Sequence, residues 1–189
     1  MQQSHFKKTF DDIVFTGKSA PKREFEQCIF KNCNFSESDF AESTFTDCTF
    51  IGCNLATMKI RGAGMKNVIF KNSKLTGVDF SQCADFLFSV SFESCMLNYA
   101  AFSNRKMQKT VFVKCSLKDV DFMATELSNA VFDECDMLGA QFEKTNLSGA
   151  DFTSSFNYAL DPEKNTLKGA KFSFDGLPGL LLKYEIEIM

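Results

Sequence analysis

Three kinds of side chain in this sequence could do chemistry: eight cysteines, one histidine and several close groups of carboxylates. Cysteine and histidine can form a nucleophilic pair or bind zinc, and grouped carboxylates can bind calcium. None of these sites has its usual spacing here. No two cysteines form a C-x-x-C pair, His5 lies near the N-terminus, and the acidic stretches DECD (133–136) and DPEKN (161–165) contain no glycine. We therefore expect no catalytic residue, no metal site and no cofactor, and so no enzyme.

The cysteines follow a repeat of five residues instead. Large apolar residues recur at every fifth position from 25 to 80 and from 92 to 152, with Phe172 in the same phase. Every cysteine stands in a second series, two positions before the first, which from 90 onward holds small or apolar residues except Arg105. Residues two apart point to the same side of an extended backbone, so both series can face inward. The thiols are therefore expected to be small, buried and reduced. His5 is expected to lie outside the column of stacked repeats.

The spacing of the cysteines also indicates the length of one coil. Several are twenty residues apart, and from 92 onward phenylalanine alternates with leucine or methionine. A coil of four five-residue sides would stack like residues on one another. The expected fold class is all-β, a quadrilateral parallel β-helix over residues 1–175, followed by a capping or dimerisation segment at 176–189.

One interruption breaks the five-residue series. Twelve residues separate Phe80 from Phe92, two more than the period allows, and the aspartate Asp85 stands where a large apolar residue belongs. We interpret residues 81–91 as a bulge or a short corner insertion with one aromatic side chain turned inward. Between 48 and 118 all aromatic side chains are expected in core positions.

The segments AQFEK, TNLSG and ADFTS, at 140–154, resemble the pentapeptide-repeat family, whose motif is A(D/N)LXX. The resemblance covers roughly residues 25–172. It implies a right-handed quadrilateral β-helix, here of about eight coils, with the central large residue and the small residue before it packed inside.

With the interior occupied, function must lie on the faces or at the ends of the column, and the charge there is segregated. Between 119 and 163 ten acidic residues face one lysine, a net charge of −9, whereas between 48 and 118 ten bases face three acids, a net charge of +7. The simplest interpretation is a surface kept polar for solubility. The alternative is an acidic face that binds a partner through Asp121, Glu126, Asp133, Glu134, Asp136, Glu143 and Asp151.

The tail SFDGLPGLLLKYEIEIM ends the five-residue period. Pro178 can begin a helical turn, and the alternation in EIEIM is typical of a strand with one buried face. The tail could cover the last coil, as any solenoid requires, or form a two-fold homodimer contact, and the two roles are compatible. The expected dimer contacts are Leu177, Leu180, Leu181, Tyr184, Ile186 and Ile188.

The placement of this tail and the early segments FTGK and EFEQCIFKNCNF resemble Qnr-type quinolone-resistance proteins. The resemblance implies a cytoplasmic homodimeric rod that mimics duplex DNA. Such a rod binds DNA gyrase or topoisomerase IV and protects the enzyme from quinolones, which gives antibiotic resistance. The alternative is a non-catalytic interaction scaffold with an unrelated protein partner. We expect no membrane span, because no stretch approaches the roughly 18 apolar residues that one requires. We also expect no direct nucleic-acid binding, because the basic stretch at 48–118 is expected to lack outward aromatic side chains.

Overall fold

The structure is a computed structural model and describes residues 3–86 and 88–187. Its coils have four sides of five residues: paired residues on adjacent coils are parallel and twenty positions apart, or 22 apart across the interruption at 81–91. The strands are short, since a corner follows every side. They are β1 (Ser4–Phe6), β2 (Thr9–Asp11), β3 (Glu24–Glu26), β4 (Ile29–Lys31), β5 (Thr44–Thr46), β6 (Thr49–Ile51), β7 (Gly64–Lys66), β8 (Val68–Lys71), β9 (Val90–Glu93), β10 (Val111–Val113) and β11 (Val131–Asp133).

Two sides of the column carry named strands. One has the order β1-β3-β5-β7, and the other has the order β2-β4-β6-β8-β9-β10-β11. The remaining two sides are held by single parallel bridges, such as Asn34 with Asn54 and Asp39 with Lys59. The seven-stranded side spans about six turns, fewer than the roughly eight coils expected. Single bridges from Val131 to Asp151 and from Asp151 to Lys171 continue the column beyond β11.

The core consists of side chains stacked in files along the column. On the seven-stranded side, phenylalanine rings lie nearly parallel with centroids 4.5–5.3 Å apart. That spacing follows from the distance between adjacent strands, about 4.8 Å, and it lets each aromatic surface be covered by the next. The predicted inward series is therefore confirmed. The stacked rings are Phe10, Phe30, Phe50, Phe70, Phe92, Phe112, Phe132, Phe152 and Phe172.

The second inward series, two positions earlier, is buried as well. Cysteines fill it without leaving polar groups unpaired, because each thiol can donate to a nearby carbonyl, as Cys115 does to Val113 at 3.3 Å. Threonine serves equally well, since the hydroxyl of Thr145 donates to the carbonyl of Phe122 at 2.7 Å. All eight cysteines are free and buried.

The corners require left-handed backbone, which asparagine, aspartate and glycine adopt most readily. Asn129 has a φ of 55° and Gly149, one coil later, a φ of 69°. A Cβ atom on Gly149 would lie 2.5 Å from the side-chain oxygen of Asn129, so stacked corners restrict side-chain size as well as conformation.

His5 was expected outside the column, and this is wrong. Strand β1 pairs with β3 so that His5 lies over Phe25, and the two rings stack with centroids 5.0 Å apart. The imidazole therefore continues an inward file at the N-terminal end. Burial, and then the positive charges of Lys8 and Arg23, lower its pKa below the usual value.

The C-terminal coil also departs from the five-residue series. Tyr158 and Leu160 are buried, whereas the in-phase residues Asn157 and Pro162 are exposed. Beyond the coil, the tail forms the short helix α1 (Pro178–Leu181) and a 3-10 turn (Leu182–Tyr184). The strand expected over EIEIM is not formed at 185–187, and Ile188 lies outside the described residues. No helix in the described ranges is long and apolar enough to cross a membrane.

Candidate interaction surfaces

The seven acidic residues expected to bind a partner do not share one side of the column. Asp121, Glu126, Asp136 and Asp151 belong to four different bridge rows, one for each side. Because consecutive five-residue sides turn the chain by a corner each time, acids that are close in sequence are distributed around the column. They therefore encircle the C-terminal coils.

Four of these acids lie within 4.0 Å of a lysine. Such exposed pairs contribute little to stability, but they reduce the negative charge available to a partner. The pairs are Lys114–Glu134 at 3.8 Å, Lys118–Asp136 at 3.0 Å, Lys164–Glu143 at 4.0 Å and Lys171–Asp151 at 3.4 Å.

Hydrogen bonds keep two of the paired carboxylates ionised. Burial alone would raise the pKa of Asp136, but hydrogen bonds from Asn157 and Lys118 hold that pKa below its usual value. The hydroxyl and backbone N–H of Thr153 lower the pKa of Asp151, and Lys171 adds to this effect. Both carboxylates are therefore charged at neutral pH.

One part of the acidic surface is continuous. Asp133 ends β11, Glu134 forms the corner with a φ of 52°, and Asp136 begins the next side. The hydroxyl of Ser154 donates to Asp133 at 2.7 Å and accepts from the backbone N–H of Glu134 at 3.0 Å. We call Asp133, Glu134 and Asp136, with Asp151 one coil beyond on the same side as Asp133, the acidic corner. Asp121, Glu126 and Glu143 lie on the other two sides.

The tail covers the end of the column, as one of its two expected roles requires. The backbone N–H of Leu160 donates to the carbonyl of Gly179 at 3.0 Å, and Leu180 packs against the core. Gly179 and Gly176 both lie against Tyr158, so close that a Cβ atom on either would overlap it. The two glycines of DGLPG thus permit the tail to approach the last coil.

Charged groups also fasten the tail to the column. Lys183 lies 2.7 Å from both Asp161 and Glu163, and the Tyr184 hydroxyl donates to Glu163 at 3.2 Å. Desolvation opposes the charged form of Lys183, but the two carboxylates raise its pKa, and Lys183 lowers the pKa of both acids. The two acids of DPEKN, Asp161 and Glu163, therefore hold the tail against the column through ion pairs and a hydrogen bond.

Much of the tail's apolar surface is nevertheless left exposed. Of the predicted dimer contacts, Leu177, Tyr184 and Ile186 are 40%, 52% and 55% exposed, whereas Leu180 and Leu181 are half-buried. Ile188 lies outside the described residues.

The structure adds exposed apolar residues that sequence reasoning missed. Phe174, Leu182, Leu138 and Phe156 are 87%, 62%, 56% and 49% exposed. Leu138, Phe156 and Leu182 line a groove of about 480 Å³ between the coil and the tail. The signal was present in the sequence, since Leu138 and Phe156 stand one position away from the inward series. We define the apolar patch as Leu138, Phe156, Phe174, Leu177 and Leu182, with Tyr184 and Ile186 beyond it.

The interruption at 81–91 is a corner insertion, as expected. Phe80–Gln82 forms a 3-10 turn, and Phe88 packs against the core, with its ring centroid 6.4 Å from that of Phe80. Phe86, in contrast, is 82% exposed. The expectation that all aromatic side chains between 48 and 118 lie in core positions is therefore wrong.

Arg105 holds this insertion from inside the column. It occupies the small inward series, yet its guanidinium donates to the carbonyls of Cys83 at 2.7 Å and Ala84 at 2.9 Å. It also lies 2.9 Å from the carboxylate of Asp85 and 4.5 Å from the centre of the Phe88 ring. The one charged residue in the small series from 90 onward is thus explained by the insertion on the preceding coil.

No cluster of three or more metal-ligating side chains occurs within 3–86 and 88–187. The cysteines have the properties of core residues. Burial raises the pKa of the Cys48 thiol to about 12 and that of Cys53 to about 11, which disfavours the reactive thiolate.

The five-residue series is the defining feature of a known family. A family model described as a pentapeptide repeat region matches residues 23–102 and 84–157, more than half of the chain. The protein belongs to the pentapeptide-repeat family. None of the curated proteins matches it significantly.

Solved structures with the same fold include two members of this family. Trypsin-treated QnrB1, a plasmid-mediated fluoroquinolone resistance protein, superimposes with a TM-score of 0.62 at 19% identity, covering 100% of both chains. HetL, from the cyanobacterium Nostoc sp. and involved in the regulation of heterocyst differentiation, gives a TM-score of 0.60 at 13% identity. That match covers 93% of this chain and 90% of HetL. At these identities the likeness concerns the fold.

Proposed function

We propose that this pentapeptide-repeat protein forms a homodimeric rod that binds a bacterial type II topoisomerase, either DNA gyrase or topoisomerase IV, through DNA mimicry. Binding would protect the enzyme from quinolone-type inhibitors and so confer resistance. The protein would then act in the cytoplasm, where the buried thiols stay reduced. QnrB1, one of the solved structures with this fold and matched over the whole of both chains, is itself a fluoroquinolone resistance protein.

The observation that carries this proposal is the contact between the acidic corner and the apolar patch. Asp136 and Phe156 form a parallel bridge, and the backbone N–H of Leu138 donates to Asp136 at 3.3 Å. A two-fold contact between two apolar patches would remove their side chains from water. It would also bring two acidic corners to the middle of a longer rod.

The chemistry of such a rod suits a DNA-binding enzyme. Duplex DNA carries one negative charge per about 1.7 Å, and enzymes that grip it present complementary lysine and arginine residues. The acidic corner offers four carboxylates on adjacent sides of the column, with the charge of Asp136 and Asp151 maintained at neutral pH. The partner surface expected is therefore basic and shaped for a rod.

A supercoiling assay with purified gyrase and a fluoroquinolone tests the function. We expect the protein to restore supercoiling in the presence of the drug. The variant Asp133→Asn/Glu134→Gln/Asp136→Asn, which keeps side-chain size and removes three charges, is expected to lose most of this protection. Equal inhibition by the drug with and without the wild-type protein would contradict the proposal.

A second candidate function is an interaction scaffold for an unrelated protein. The observation that favours it is the pairing of four acids with lysines, which leaves less negative charge than a uniform DNA mimic would present. A scaffold would keep the same fold and the same end contact. It would neither bind gyrase nor protect it, so the same assay distinguishes the two functions.

A further inference from the structure

We propose that the insertion corner, residues 81–86 with 88–91, is a binding site for single-stranded nucleic acid, in which Phe86 stacks on a base and nearby cations contact phosphates. This site carries charge opposite to that of the acidic corner. It does not depend on topoisomerase binding.

Contacts from the core anchor the described residues on either side of Phe86. Arg105 is 4% exposed and makes two hydrogen bonds to the backbone at Cys83 and Ala84. Phe88 closes the other end of the insertion by packing on the core and under the guanidinium. Phe86, between these two anchors, is therefore directed outward.

The ring of Phe86 is the exposed aromatic group of this corner. Phe86 is 82% exposed although an inward position was available for it, and Phe88 occupies that position instead. Because its segment is anchored on both sides, the ring offers solvent an uncovered aromatic face. Base stacking on such a ring tolerates any sequence, since every base has a flat face.

Four cationic side chains lie around the Phe86 segment. Arg61 lies beside the corner, because the next residue, Gly62, donates its N–H to the carbonyl of Gln82 at 2.7 Å. Ser89 donates its N–H to the carbonyl of Met65, the residue before Lys66, and Lys109 lies twenty positions after Ser89, on the next coil. Lys106 follows Arg105 directly. All four cations are exposed, and within 3–86 and 88–187 none forms an ion pair.

The acid of the corner, Asp85, is neutralised by Arg105. Asp85 projects into solvent, where it would repel a phosphate, but the guanidinium of Arg105 lies 2.9 Å from its carboxylate. Asp79, which caps the 3-10 turn, and Glu126, which is bridged to Lys106, are the other acids nearby. The five cations of this region, Arg105 included, therefore outnumber its three acids. This differs from the C-terminal coils, where lysines are paired with acids.

These features favour a single strand over a duplex. The cations extend about one coil to either side of Phe86, roughly 10 Å in all, which suits a few nucleotides rather than a long duplex footprint. In a duplex the bases are already stacked and a lone ring has no face to cover. A combination of a basic surface and an exposed aromatic ring is the usual means by which single strands are held without sequence preference.

Fluorescence anisotropy with a labelled 20-nucleotide oligo(dT) tests the site. We expect saturable binding at low salt that weakens steeply as salt is added, with a matched duplex bound more weakly. Phe86→Ala should weaken binding at least about fivefold, and Phe86→Trp should restore it. The control Phe6→Ala removes an exposed ring at the N-terminal end, outside the acidic corner and the apolar patch, and should leave binding unchanged.

The charged residues are tested in the same way. Lys66→Gln/Lys106→Gln should weaken binding and reduce its salt dependence, whereas Lys74→Gln/Lys168→Gln, at two other exposed lysines, should not. Arg105→Met, with folding checked by circular dichroism, should weaken binding like Phe86→Ala if Arg105 positions the ring. No binding at low salt, equal binding of the duplex, or indifference to Phe86→Ala would overturn the proposal.

Discussion

Asp136 and Phe156 are paired across adjacent coils in one parallel bridge, so the acidic corner and the apolar patch share an edge. A solenoid makes this arrangement possible because residues twenty apart in sequence become neighbours along the column. The two surfaces can therefore act together, one joining two copies and the other meeting a partner.

The first prediction concerns the inward series. Phe122→Ala or Phe132→Ala should lower the free energy of unfolding by about 3–5 kcal/mol, because each leaves a cavity within a file of stacked rings. The exposed-side control Ser148→Ala should change it by less than about 0.5 kcal/mol. Denaturant titrations measure both, and similar losses for the two classes would contradict the assigned register.

The second prediction concerns the thiols. All eight cysteines are buried. Burial raises the pKa of Cys83 to about 12, and it also raises the pKa of Cys48 and of Cys53, as described above. The native protein should therefore react slowly with a thiol reagent, and eight thiols should react after denaturation. Rapid labelling of native Cys95, Cys115 or Cys135 would show that these positions do not face inward.

The third prediction is a pH dependence at the N-terminal end. The folded state lowers the pKa of His5, so it favours the neutral imidazole, and the unfolded chain binds more protons as pH falls through about 6.5. The contribution of the neutral imidazole to stability is complete above that pH and is lost as pH falls towards the lowered pKa of the folded state. Hydrogen exchange of β1 and β3 at pH 8 and pH 5 should show faster opening at pH 5.

His5→Phe is the matched control for this effect. Phenylalanine can continue the stack on Phe25 without a titrating group, so the pH dependence of exchange between 8 and 5 should disappear. If the wild type and His5→Phe respond to pH equally, then another group is responsible.

The sequence was sufficient to predict the column because its repeat is dictated by local geometry. A five-residue period with a second inward residue two positions earlier specifies the sides, and the twenty-residue spacing of the cysteines specifies the coil. His5 was misplaced because residue type was given more weight than phase. It stands five positions before Phe10, in the inward register, and its ring can stack like a phenylalanine.

The surfaces were harder to predict because they depend on contacts between coils. The sequence could not decide which of Phe86 and Phe88 faces inward, since that choice depends on Arg105, which reaches the insertion from the next coil. The acids were known as a segment, but their distribution over four sides follows from the corners. Leu138 and Phe156 form a groove with Leu182 of the tail, and the sequence does not show how the tail lies against the last coil.

The fourth prediction concerns the tail. Deleting residues 176–189 should yield monomers of lower solubility, because it removes part of the apolar patch and uncovers Tyr158 and the last coil. The column should still fold, since each coil is stabilised chiefly by its neighbours. Sedimentation measures the mass, and the point variant Phe174→Glu/Leu177→Glu should also give monomers while keeping the cap. A wild-type protein that is monomeric at micromolar concentration would contradict the dimer.

The most direct test of the central claim is the affinity of the wild-type dimer for purified DNA gyrase. The decisive comparison is with Asp133→Lys/Glu134→Lys/Asp136→Lys, which reverses the acidic corner. The control Asp121→Lys/Glu126→Lys/Glu143→Lys makes the same change in net charge on the other two sides. We predict that wild-type binding weakens with added salt, that the first variant does not bind and that the control retains most of its affinity. Binding that is indifferent to salt and equal in all three proteins would contradict the account.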